Sequence, residues 1–363
     1  DLILQKISND LAQKPISRTE MVQISLPPPL WKKIIFKSLE MLLPYGLHLL
    51  NERRIARKQP KKKYPFIENK RGLHAVNKKN LDQYMVEHPP RHIHCRSGHP
   101  RWILSLTSYP QRMNDIHYAL YSLLRQTQKP DKLILWLGED KFPHQEQDLP
   151  QNVLELKKYG LEICWRKDLK SYTKLFYALR EYPEDIIITA DDDIFYPNDW
   201  LSRLAHAYQE NPGSSEIIAH RTHLIQVDSN GTPLSYRNWL KETGTTVPSF
   251  RNFITGVGGV LYPPHSLHPD VMNMEMALKL APYADDIWFY AMALRRHTRI
   301  HTLKDGYSQL IFINPERELR QTEETTLAKQ NVAGNGNDGQ MRAVMEAYPE
   351  LRNLIFENNT TLI

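Results

Sequence analysis

From Arg101 onward, short apolar runs alternate with amphipathic helical stretches, and this rhythm constrains the fold more than any other feature. Trp102–Leu106, Lys132–Leu137, Leu161–Trp165 and Ile186–Thr189 read as strands, each closed by turn-forming or polar residues. Between them Ile116–Gln126, Leu154–Tyr159 and Tyr172–Arg180 carry apolar residues at helical spacing. A further helix is expected over Trp200–Gln209 and a short strand over Glu216–His220. Strand, helix, strand, helix in this order predicts an α/β fold, Rossmann-like, with a mostly parallel central sheet and flanking helices.

The fourth strand delivers three consecutive acids, Asp191, Asp192 and Asp193. If the strand continues through them, side chains alternate and rise about 3.3 Å per residue, so Asp191 and Asp193 share one side, roughly 6.6 Å apart. That gap suits one divalent cation shared by two carboxylates, with Asp192 facing away. In open α/β sheets ligands bind at the carboxyl ends of the strands, where the triplet falls. Three adjacent like charges repel, so a fold that keeps them needs a cation or many hydrogen bonds nearby. The competing reading is a solvated acidic turn, because Tyr196-Pro197-Asn198-Asp199 follows at once.

The first 92 residues differ from this pattern. Leu30–Leu43 places Trp31, Ile34, Ile35, Leu39, Leu42 and Leu43 at helical spacing, with lysines between them. A basic run from Arg53 to Lys63 follows. Residues 30–63 therefore suit either an anionic membrane surface or a helix packed on its own domain with a solvated linker. Nucleic acid is not an expected partner, since aromatics are not interleaved with the positive charges. The net charge of +6 is mild, and its excess lies mostly before residue 103. Two cysteines, Cys95 and Cys164, make no disulfide framework and suggest a reducing compartment. No apolar run approaches the ~20 residues of a membrane span. The expected division is an extension and linker over 1–92, an α/β domain over 93–320, and a C-terminal loop and helix over 321–363.

Four blocks carry a resemblance: Ser105-Leu106-Thr107-Ser108-Tyr109-Pro110-Gln111-Arg112, Ile188-Thr189-Ala190-Asp191-Asp192-Asp193-Ile194-Phe195-Tyr196-Pro197, Gly256-Val257-Gly258-Gly259-Val260-Leu261-Tyr262-Pro263-Pro264 and Ala284-Asp285-Asp286-Ile287-Trp288-Phe289. In type and order they resemble the GT-A glycosyltransferases, most closely the bacterial enzymes that build lipopolysaccharide or capsular polysaccharide. The resemblance implies the GT-A form of the fold and a cytoplasmic enzyme, peripheral at the inner face of the plasma membrane if residues 30–63 bind it. It also implies a nucleotide-sugar donor, with a UDP-sugar favoured, and transfer to a hydroxyl of a glycan or lipid-linked glycan acceptor. Inversion at the anomeric carbon is the expected course.

Carried over by position, the resemblance makes Asp191 and Asp193 ligands of Mn²⁺ or Mg²⁺, with Asp191 alternatively on the ribose and Asp192 also beside the nucleotide. Thr107, Tyr109 and Arg112 fall where the family holds base, ribose and phosphate, and Lys174 near the nucleotide. Asp286 is the expected general base and Asp285 a ligand of the acceptor hydroxyl, or the reverse. Gly258 and Gly259 are expected to approach substrate closely. Trp288, with Trp239 and Tyr262, is a candidate sugar-stacking ring, and His301 a third metal ligand. Asn335–Asp338 reads as a surface turn or a lid. The competing functions are a HAD-like phosphohydrolase and an inactive glycan-binding scaffold. The first normally carries its aspartate nucleophile on the first strand; the second has no need of acids at both 191–193 and 285–286.

Overall fold

The computed structural model describes residues 64–70, 72–229, 231–304, 310–319 and 336–357. The amphipathic stretch at 30–43 and the basic run ending at 63 lie outside the described residues. So do residue 335 and residues 320–334.

The central sheet has seven strands. In chain order its members are β3 (Trp102–Thr107), β4 (Lys132–Gly138), β5 (Leu161–Arg166), β6 (Ile186–Thr189), β8 (Ile217–Ala219), β11 (Val260–Tyr262) and β12 (Ile300–Thr302). Their spatial order is β12-β8-β11-β6-β3-β4-β5. Every strand runs the same way except β11, which pairs antiparallel with both β6 and β8. This is the mixed, mostly parallel α/β sheet expected from the sequence.

Strand residues alternate between two cores, one on each face. Ile103, Ile134, Ile187 and Val260 join a core completed by α3 (Thr173–Glu181) and α6 (Asp285–Arg295). Leu104, Leu135, Ile188 and Leu261 join another, covered by α2 (Met113–Leu124) and α4 (Trp200–Glu210). With both faces covered, the strands read as near-continuous apolar runs.

All described residues belong to one unit, Gln59–Ile363. The expected boundary at residue 92 falls inside this unit. Strands β1 (Ile67–Lys70) and β2 (Leu73–Val76) form a hairpin, and α1 (Lys78–Glu87) follows it. The hairpin extends through β13 (Ile311–Phe312) to β7 (Ile194–Phe195), the two residues directly after the acidic triplet. Tyr64, Phe66 and Leu81 pack with Phe195 and Ile311 in a third core, and the Asn198 N–H donates to the Tyr64 hydroxyl at 2.7 Å. These N-terminal residues thus brace the chain just beyond the acids. A lesser ribbon pairs β9 (Thr222–Leu224) with β10 (Asn252–Ile254). Helices α5 (Met274–Leu280), α7 (Gly336–Ala347) and α8 (Leu351–Glu357) lie further along the chain. Asp338 opens α7 and accepts from the Ser235 hydroxyl and the Tyr236 N–H, so residues 336–338 are the start of a tethered helix and not a lid.

Candidate active site

The site forms at the carboxyl edge of the sheet. Strand β6 stops at Thr189, and the acids occupy the turn that leads to β7. Because β11 enters antiparallel, with Val260 opposite Thr189, residues 256–259 cross the same edge. Helix α6 brings Asp285 and Asp286 in its first turn. Helix α3 brings Lys174, and the turn after β3 brings Ser108, Tyr109 and Arg112.

Strand alternation does not extend into the triplet. Asp191 turns to Lys174, whose Nζ donates to its Oδ1 at 2.6 Å. Asp192 and Asp193 instead share Arg112: Nη1 is 2.5 Å from Asp193 Oδ2 and 3.3 Å from Asp192 Oδ1. The Ser108 hydroxyl donates to Asp192 Oδ2 at 2.5 Å. The expected pairing of 191 with 193 and opposition of 192 is corrected, because the pleat that imposes alternation ends at Thr189.

Lys174 joins the two acidic groups. It is pinned from behind: the Trp136 indole N–H donates to the Ser105 hydroxyl at 2.8 Å, and that hydroxyl donates to the Lys174 carbonyl. Burial works against its charge, but Asp191, Asp285 and Asp286 outweigh it and hold the ammonium above its ordinary range. Asp286 accepts the Gly256 N–H with both oxygens at 3.1 Å. A Cβ on Gly256 would stand 3.2 Å from Asp286 Oδ1 and 3.3 Å from Lys174 Nζ, so this glycine fits where a side chain would crowd both. Burial, then repulsion from Asp285, pushes Asp286 up to about 7. Burial, opposed by Arg112, pushes Asp192 up to about 6. Burial also raises Asp191 despite the pull of Lys174. Tyr196 supports the turn, its buried hydroxyl accepting the Asp191 N–H at 2.7 Å.

The other expected site residues separate. Tyr109 is 44% exposed at the rim, with the Arg112 guanidinium 5.5 Å from its ring centre. The Thr107 hydroxyl is spent on the Trp136 carbonyl at 2.9 Å. Gly258 and Gly259 answer to packing: the Trp200 indole N–H donates to the Gly258 carbonyl, and a Cβ on Gly259 would lie 2.3 Å from Trp200 Cζ2. Trp288, Trp239 and Tyr262 are buried in the core beneath the site, the Trp288 indole N–H turned to the Val271 carbonyl, so no face is open to a sugar. His301 is corrected as well. It sits in β12 opposite Ile218 and lines a depression with Tyr208, Asn211 and Glu216, away from the aspartates. Sequence reasoning missed Ser108 as a partner of Asp192 and Gly256 as a partner of Asp286, although both stand in the blocks quoted above.

Among the described residues no three His, Cys, Asp or Glu side chains are gathered as a metal cluster. One observation does favour a cation: Asp191 Oδ2 is buried without any hydrogen-bond partner, beside the charge of Asp193. Carboxylate oxygens are the hard donors that Mg²⁺ and Mn²⁺ take. The residues therefore fit such an ion as two ligands, leaving its other positions to water and substrate oxygens.

No protein-family model and no curated protein matches the chain. Solved structures similar to it include TarS 1-349 of S. aureus, at 14% identity and TM-score 0.40, over 68% of this chain and 72% of that one. A mannosyltransferase, PcManGT of Pyrobaculum calidifontis, in complex with GDP-Man and Mn²⁺, matches at 11% identity and TM-score 0.38 over 76% and 78%. A cytidylyltransferase of Leptospira borgpetersenii matches at 13% identity and TM-score 0.37 over 70% and 97%. The α/β fold class rests on the chain's own strand order and direction. No helix among the described residues is long and apolar enough to cross a membrane.

Proposed function

We propose that this chain is a metal-dependent glycosyltransferase that moves a sugar from a nucleotide-sugar to a hydroxyl of a glycan acceptor. The observation that carries the reading is the pair of acidic groups, 191–193 and 285–286, held on either side of Lys174 at the carboxyl edge of the sheet. A transfer of this kind needs two separate functions, a seat for the leaving diphosphate and a base for the incoming hydroxyl. Asp191 and Asp193 would hold Mn²⁺ or Mg²⁺, which when bound supplies counter-charge to the diphosphate. Arg112 and Lys174 stand beside that position to pair with phosphate oxygens, and exposed Tyr109 offers its ring to the base. Asp286, raised to about 7, is a carboxylate basic enough to accept the acceptor's proton near neutral pH. As the acceptor oxygen bonds to the anomeric carbon, the bond to phosphate breaks, the nucleoside diphosphate leaves with the electron pair, and the proton passes to Asp286. Asp285, its neighbour, would orient the acceptor hydroxyl, and inversion follows from attack opposite the leaving group.

A phosphohydrolase using Asp191 as nucleophile fits less well, because its Oδ1 is held by Lys174 and its Oδ2 is buried. The test is calorimetric titration of UDP and GDP with and without Mn²⁺. Metal-dependent binding is expected, lost by at least tenfold in Asp193→Ala. Binding of equal strength without metal, or undiminished in the variant, refutes the reading.

A further inference from the structure

Next to the backbone that holds Asp286 stand two basic side chains, Arg221 and Lys241. Strand β10 leads directly into Thr255 and Gly256. Gly256 holds Asp286, and Thr255 Oγ1 is 3.2 Å from Arg221 Nη1. The base and the Arg221 guanidinium thus flank two consecutive residues. Opposite β9 runs the segment around Leu240, bridged to Leu224, which sets Lys241 and Glu242 alongside. Glu242 is already engaged, its Oε1 3.0 Å from Arg221 Nη2.

Lys241 has no carboxylate of its own within 4.0 Å among the described residues. Its Nζ donates to the Tyr236 carbonyl at 2.5 Å and lies 3.2 Å from the centre of the Tyr236 ring. Asp338, whose charge also acts on Lys241, is occupied by the Ser235 hydroxyl and the Tyr236 N–H. Burial and the adjacent Arg221 push the Lys241 ammonium down to about 8, and the same Arg221 and Lys241, after burial, keep His223 neutral. Burial, with the charges of Asp286 and Glu242, raises the Tyr236 phenol against the pull of Arg221. Asp338 and Glu242 act on the Lys241 charge only from beyond 4.0 Å, and a half-buried cation without a direct ion pair is relieved by a ligand anion.

We propose that Lys241 with Arg221 forms an anion subsite for the acceptor, so that the accepting glycan carries a phosphate or carboxylate close to the hydroxyl that attacks. This rests on the transferase reading for its meaning, while the subsite itself is measured without turnover. Glucose 6-phosphate, glucuronate and unsubstituted glucose are titrated calorimetrically into the wild type, Lys241→Met and Lys241→Arg, each first given UDP and Mn²⁺. At least one anionic probe is expected to bind the wild type more tightly than glucose, to weaken tenfold or more in Lys241→Met, and to stay within about threefold in Lys241→Arg. Preference for the phosphate over the carboxylate, or the reverse, identifies the anion's source. The proposal is overturned if neither anionic probe outbinds glucose, or if Lys241→Met binds it as the wild type does. Failure of UDP to bind in the same samples refutes the transferase reading by itself and leaves the Lys241 comparison to decide the subsite.

Discussion

Asp286→Asn tests the central electrostatic claim without any need for substrate. The carboxyl of Asp286 stands at about 7 against an ordinary 3.8, through burial and repulsion from Asp285. The folded protein therefore keeps a proton that the unfolded chain gives up across that interval. Stability is greatest below about 3.8 and falls as pH rises through about 7. At about 1.4 kcal/mol for each pH unit, the interval sets a ceiling of about 4 kcal/mol. Partial solvent access brings the expected value to about 1–3 kcal/mol. Asparagine keeps an oxygen for the Gly256 N–H but carries no charge. Urea denaturation in metal-free buffer should show Asp286→Asn close to the wild type near pH 4 and about 1–3 kcal/mol more stable at pH 8. A variant that is less stable at pH 8, or whose advantage does not change with pH, refutes the argument that this carboxylate is held at high energy. In transfer assays the same variant should bind donor normally and turn over at least a hundredfold more slowly.

Two further outcomes follow from packing and charge. Lys174→Met leaves the Asp191 carboxylate buried without its 2.6 Å partner and should cost about 3 kcal/mol at pH 8 by urea denaturation, and less as pH falls, because the raised Asp191 carboxyl then takes up a proton. An unchanged midpoint at pH 8 would remove Lys174 from its bridging role. Gly259→Ala puts a methyl group into the Trp200 indole at a backbone φ of +97° and should cost about 2–4 kcal/mol. A melting temperature within 2 °C of the wild type, on the scale of about 2–4 °C per kcal/mol, would show that the glycine is not held by packing.

The sheet was legible because its strands are apolar on both faces and end in turn residues, as Trp102–Leu106 and Ile186–Ile188 are. The acids were legible because charge at the end of such a strand or at the start of a helix has few structural uses. What escaped depends on contacts between distant segments. Nothing local to Gly259 announces that Trp200 will press against it, and nothing local to Trp288 distinguishes a buried indole from one that meets a sugar. The hairpin at 67–76 has strands of four residues carrying Glu68, Asn69 and Lys70, too short and polar for a periodic signal, and its register is completed by β13 near the far end of the chain. His301 was misplaced because residues on one strand can serve either face of a sheet. Ile218, its partner across the ladder, belongs to the core under α4, so the histidine faces that side too.

The charges of the site explain why Lys174 is buried at all. Asp191, Asp192, Asp193, Asp285 and Asp286 supply five carboxyl groups, and Lys174 and Arg112 supply two cations. Fully ionised, the group would carry three uncompensated negative charges in a half-closed place, and Asp192 and Asp286 are accordingly raised to about 6 and 7. Asp191 and Asp193 would hold a divalent ion, at the expense of the Asp193–Arg112 ion pair. Arg112, still paired with Asp192, would then have donors to spare for a diphosphate oxygen. Under the proposed function the acids, the arginine and the lysine are parts of one charge balance that a metal and a phosphorylated donor would close together. Asp286 is left as the basic group on the side where an acceptor would enter.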